Sequence, residues 1–171
     1  MPLPVIRPTR AEISQCFVRY SSVHGSVHDG NFAKNVLGFV APHDEKWLTA
    51  TKSDPLPSII QAAGFRVYFV ECKQGSGCDW HNHDTTETFI ILGGTWRVEW
   101  EGKEGVDFIV MERYDVFSFP PGVLRRFCNM SHADGRDEGV LLAIVAGDTP
   151  VAETLEEELA RMRIRMTQSG V

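Results

Sequence analysis

Between residues 65 and 147, apolar and polar positions alternate or gather in runs too short for helices. In "TWRVEW", Trp96, Val98 and Trp100 alternate with Thr95, Arg97 and Glu99. A period of two turns one set toward a core and the other toward solvent, which predicts a half-buried strand. "FRVYFVEC" and "VLLAIVAG" are β-branched and aromatic runs of strand length. "EGKEG" reads as a hairpin connection, after which "VDFIV" resumes the ladder. "DVFSF" runs into "PPG", where two prolines and a glycine must end the strand. Short, regularly spaced strands without intervening helices predict an all-β barrel or sandwich.

The flanks differ. Residues 1–60 mix short apolar segments, such as "VLGFVAP", with the polar "SSVHGSVHDGN" and the turn-rich "TKSDPLPS". That texture predicts an extension of strands and loops wrapping the barrel at 61–147. Over 148–171 the period changes: Leu155, Leu159, Met162 and Met166 recur at helical spacing. Thr149 can cap this helix with Pro150 at its first position. Glutamates fill its first half and arginines its second, in accord with the helix dipole. A C-terminal helix packed on the barrel or on a partner is the expectation.

With 171 residues, the chain suits one domain with a substantial core. A formal charge of −6 argues against nucleic acid and anionic membrane as partners. No apolar run is long enough to span a bilayer. The opening "MPLPVIRPTR" lacks the apolar centre of a secretory signal. Cysteines 16, 72, 78 and 128 form no Cys-x-x-Cys pair and are expected to be reduced in a cytoplasmic protein.

The candidate chemistry lies in "GSGCDWHNHDTTETFIILGG". On a strand, residues i and i+2 share a face and lie roughly 6.5–7 Å apart. His81 and His83 can therefore converge on one ion at about 2.0–2.2 Å. The polar "DTTE" suits a turn, and if it brings the next strand alongside, Glu87 completes a face of three ligands. Two imidazoles and one carboxylate leave positions open on a divalent transition metal. Iron is the usual occupant of such a set, and Mn, Ni, Zn or Cu would also fit. Phe89 and Ile91 share Glu87's parity and would line the same interior; Phe119 and Phe127 are candidates for the same wall. Trp80 should face away from His81, Trp96 and Trp100 should fill core, and Asp115 and Asn129 should shape turns.

Two motifs carry a resemblance to the cupin superfamily. Gly75, His81, His83, Glu87 and Gly94 match every gap of its first motif. In "YDVFSFPPGVLRRFCN", Asp115, Pro120, Gly122 and Asn129 align with the second. The resemblance implies a double-stranded β-helix, or jelly-roll barrel, with the site inside it and a homodimer as the assembly. Two positions depart from the pattern. Tyr114 replaces a glycine, and Arg125 stands where the family has its fourth metal ligand, a histidine.

Arginine offers only donors and cannot ligate a cation in the usual way. Three arrangements follow. His81, His83 and Glu87 hold the metal alone while Arg125 leans aside to grip an anionic substrate. Alternatively another residue, from His24, His28, His43 and His132, supplies a ligand. Or no metal binds, and Arg125 pairs with Glu87 in a pocket for a small molecule.

The functional expectation is a metal-dependent enzyme, of dioxygenase type, acting on a small organic acid or enol, with Arg125 in a catalytic role. Within the superfamily, decarboxylases and sugar isomerases or epimerases share this scaffold, and fold does not choose among them. A non-catalytic binding module or sensor is the alternative, supported by the replacement at Arg125.

Overall fold

A computed structural model describes residues 5–28, 31–39, 56–131, 139–154 and 156. Its strands in chain order are β1 (Gly25–His28), β2 (Asn31–Gly38), β3 (Ile59–Ile60), β4 (Phe65–Cys72), β5 (Gly77–His83) and β6 (Glu87–Gly93). They continue with β7 (Trp96–Gly102), β8 (Gly105–Met111), β9 (Val116–Phe119), β10 (Arg125–Asn129), β11 (Gly139–Ala146) and β12 (Ala152–Thr154). A one-turn helix, α1 (Arg10–Ser14), precedes them, closed by a capping box between Thr9 and Glu12.

Two sheets result. One runs β1-β2-β4-β11-β6-β9, with β3 attached to β2; the other runs β12-β5-β10-β7-β8. All pairings within them are antiparallel except β2 with β3. The N-terminal strands extend the first sheet, because β2 pairs with β4 from Asn31↔Cys72 onward. Inward side chains of both sheets meet in one core built around Phe89, Ile91, Trp96, Val98, Phe127 and Leu141. The period-two signal explains this burial: β11 alternates buried and half-buried positions along its whole length.

Local chemistry shapes the connections. The β7–β8 hairpin closes at Gly102↔Gly105, as "EGKEG" predicts. Gly94, the last residue of the first motif, has φ +78, and a Cβ there would lie 2.4 Å from Ser131 Oγ. Only glycine fits both demands. Tyr114, where the second motif has glycine, keeps a left-handed φ of 77. Asn129 ties strand ends together rather than shaping a turn alone. Its Nδ2 donates to the Cys72 carbonyl (2.8 Å), and its Oδ1 accepts from the Ser131 amide (2.9 Å).

The C-terminal expectation needs correction. No helix begins at Pro150; Ala152–Thr154 are β12, antiparallel to β5 through Ala152↔His83 and Thr154↔His81. Asp84 fixes this segment twice: its Oδ1 accepts from the Val151 amide (2.8 Å), and its own amide donates to the Val151 carbonyl (3.2 Å). The ladder groups on that side of β5 thereby gain partners, and this outweighs the local helix signal. Glu156 is helical. The rest of the expected helix, residues 155 and 157–171, lies outside the described residues.

Candidate metal centre

His81 and His83 project from the same face of β5, with ring centroids 5.4 Å apart and planes at 90°. Glu87 opens β6, which belongs to the other sheet. The "DTT" turn therefore does not lay the next strand beside β5. It carries the chain across the barrel, so that the carboxylate faces the imidazoles from the opposite wall. His81 Nε2 lies 3.8 Å from Glu87 Oε2, and His83 Nε2 lies 3.7 Å from Glu87 Oε1. One ligand atom from each residue falls within 4.8 Å of the others. Donors at about 2.0–2.2 Å from a shared ion sit roughly 3–4 Å from each other, a range that holds both histidine–glutamate distances.

The surroundings prepare the histidines. His81 Nδ1 is 2.8 Å from the Asp79 carbonyl, which can only accept. Nδ1 therefore carries the hydrogen, and in the neutral ring the lone pair is left on Nε2, facing Glu87. Cys78 Sγ approaches the same Nδ1 at 3.5 Å. The histidine side chains are 11% and 13% exposed and that of Glu87 is 7% exposed, so bulk water screens little of their interaction.

Arg125 is fully buried at 0% exposure. It begins β10, where its Cα pairs with His81 on one side and Trp100 on the other. Its Nε and Nη2 both donate to Glu87 Oε2, at 2.8 and 2.6 Å, and its Nη1 donates to the Val123 carbonyl at 2.9 Å. The guanidinium carbon lies 5.3 Å from the Phe119 ring centroid. Arg125 thus grips Glu87, as in the third of the arrangements above, while Glu87 Oε1 stays turned toward His83.

Charge distributes accordingly. For Glu87, burial works toward neutrality, but the neighbouring His81 and the Arg125 charge hold its carboxyl at about 2. Burial also opposes charge on His81, yet its contacts with Cys78 and Glu87 prevail and push it up to about 10. His83 moves the other way, to about 4, because burial and the Arg125 charge outweigh the pull of Glu87.

The remaining candidates fall into place as follows. Phe89, Ile91, Phe119 and Phe127, expected as a pocket wall, are packed into the closed core, with Phe89 edge-on to Phe119 (5.7 Å) and Phe127 (5.2 Å). The cleft beside the triad is formed by other residues. It has a volume of ≈ 540 Å³ and is lined by Asn82, His83, Asp84, Gly122, Val151, Ala152 and Glu153. His83 alone belongs to both triad and cleft. Trp80 turns outward beneath Arg126, and Trp96 is fully buried, as expected. His24 is exposed. His43 and His132 lie outside the described residues, as does the side chain of His28.

Sequence reasoning missed the Asp79 and Val123 carbonyls, because backbone acceptors leave no residue-type signal. It also missed Val151 and Glu153, which the helical pattern had assigned elsewhere.

The chain matches no protein-family model and no curated protein sequence. Its structure is similar to solved structures of oxalate decarboxylase from Bacillus subtilis. One at pH 4.6 has a TM-score of 0.59 and 16% identity, covering 89% of this chain and 35% of that one. A deletion mutant of the same enzyme gives 0.59 and 17%, covering 89% and 36%. A third, from work on the Mn(II) centres of that enzyme, gives 0.59 and 16%, again covering 89% and 36%. This chain therefore spans about a third of the length of those neighbours. Likeness at such low identity establishes the fold, and the fold is the cupin jelly roll.

Proposed function

We propose that this cupin-fold chain is a metal-dependent enzyme acting on a small organic acid, with His81, His83 and Glu87 holding one divalent transition ion. The observation that carries the proposal is the convergence of three ligand atoms within 4.8 Å from opposite walls of the barrel. When bound, the ion would supply Lewis-acid polarisation of a carboxylate or carbonyl oxygen. The chain's own residues do the rest. Asp79 orients His81, Arg125 fixes Glu87, the aromatic core excludes water from one side, and the cleft at His83 admits a ligand from the other.

Two reactions fit this frame. Decarboxylation is favoured by the neighbours, whose name states that reaction on oxalate. Dioxygenase-type oxidation is favoured by a three-ligand set that leaves coordination positions open. Non-catalytic binding is a further reading, and the Arg125–Glu87 pair is the observation on its side. We also propose a homodimer in the cytoplasm, joined through the exposed apolar edge of β8; the cysteines, all thiols, suit that compartment.

The experiment is incubation of the Mn(II)- or Fe(II)-loaded protein with oxalate and other small carboxylic acids, following CO2 release and O2 uptake together. CO2 release without net O2 uptake supports the decarboxylase. Stoichiometric O2 uptake supports the dioxygenase. Tight acid binding with neither change would leave only the binding module.

A further inference from the structure

The site has an unusual division of one carboxylate between two claims. Both Arg125 contacts to Glu87 fall on Oε2, at 2.8 and 2.6 Å, whereas Oε1 faces His83 Nε2 at 3.7 Å. Arg125 is not placed there by chance of rotamer. Its Nη1 is anchored on the Val123 carbonyl, Phe119 packs beside the guanidinium, and the residue is wholly buried opposite His81. Resting on the metal-binding reading above, we propose that Arg125 is a positioning residue that withholds Oε2 and limits Glu87 to a one-oxygen ligand.

Two consequences follow from charge and geometry. An ion at the triad meets two imidazoles and a carboxylate already neutralised by a fixed cation, so its attraction is weakened. The Arg125–Glu87 pair also gives the buried carboxylate a fixed counter-charge in the metal-free barrel, so the fold does not wait on the ion. The site is thereby built for loose, reversible occupation rather than for permanent structural metal.

Titration of Mn(II) into metal-stripped protein, with free Mn(II) followed by electron paramagnetic resonance, tests this. Wild type is compared with Arg125→Gln and Arg125→Lys, and the thermal midpoint of each is measured without metal. The expected result is at least tenfold tighter Mn(II) binding in Arg125→Gln together with a lower metal-free midpoint. Arg125→Lys, which keeps the charge, should bind within threefold of wild type. Tightening on loss of a buried residue is an effect that disrupted packing does not produce.

Wild-type binding left unchanged in Arg125→Gln would overturn the positioning role while sparing the metal site. Equal tenfold tightening in Arg125→Lys would overturn the charge argument. Binding by Arg125→Gln but not by wild type would overturn the metal reading of the natural chain and the inference that rests on it. Absence of binding in every protein would remove the metal reading and this inference with it.

Discussion

At the scale of single residues, the site is a contest over protons as well as over cations. In the metal-free protein, His83 has its value lowered from 6.5 to about 4. The unfolded chain therefore binds a proton there more readily than the folded one, and stability falls as pH drops from about 6.5 toward 4. His81 is raised from 6.5 to about 10, so its contribution is complete below 6.5 and is lost as pH rises toward 10. Thermal denaturation in chelator should accordingly show a maximum near pH 6.5. His83→Asn should flatten the acid limb, by about 3 kcal/mol at most. An acid limb unaltered in that variant would mean that His83 is not held neutral by its surroundings. The two histidines and Glu87 were legible in the sequence, because a period of two fixes their shared face and a short polar turn limits where the carboxylate can go. The pairing of Arg125 with Glu87 was legible only as one of three arrangements. A sequence places a guanidinium on a strand without saying which carboxylate lies across the barrel.

Elements were predicted best where period and length agreed. β4, β7, β8 and β11 fall within a residue or two of the runs that announced them, and the hairpin at Gly102↔Gly105 is the one its glycines suggested. The failure came at β12. A capping threonine, an N-terminal proline and graded charge are genuine helix signals, but they are local, and the partner groups offered by the edge of β5 are not visible from within the segment. The replacement of the motif's glycine by Tyr114 also belongs to this scale. Tyr114 holds φ 77 and is 69% exposed, so it retains the glycine's conformation without glycine's freedom. Tyr114→Gly should relieve that strain and stabilise the fold by about 1 kcal/mol, read from the urea midpoint. A destabilised variant would show that the tyrosine side chain supports the turn rather than straining it.

At the scale of the whole molecule, two facing sheets make the site possible, since its histidines come from one and its glutamate from the other. Strand spacing was enough to predict that architecture; it was silent on which edges remain open. β8 is such an edge among the described residues, with Val106, Phe108, Ile109 and Val110 all exposed. Edge strands this apolar invite pairing. An antiparallel two-fold register centred on Phe108 would set Val106 against Val110 and Asp107 against Ile109, opposing no like charges within β8. Light scattering should give a dimer for the wild type and a monomer for Phe108→Lys with Val110→Lys, the fold being retained. A dimer surviving both substitutions would place the interface elsewhere.

The account stands or falls on the ion. Equilibrium dialysis of metal-stripped protein against Mn(II), Fe(II), Ni(II), Zn(II) and Cu(II), followed by elemental analysis, measures it directly. Near one equivalent of at least one of these ions should be retained by the wild type and lost in both His81→Ala and Glu87→Ala. Retention unchanged in those variants, or no uptake of any ion by the wild type, would contradict it.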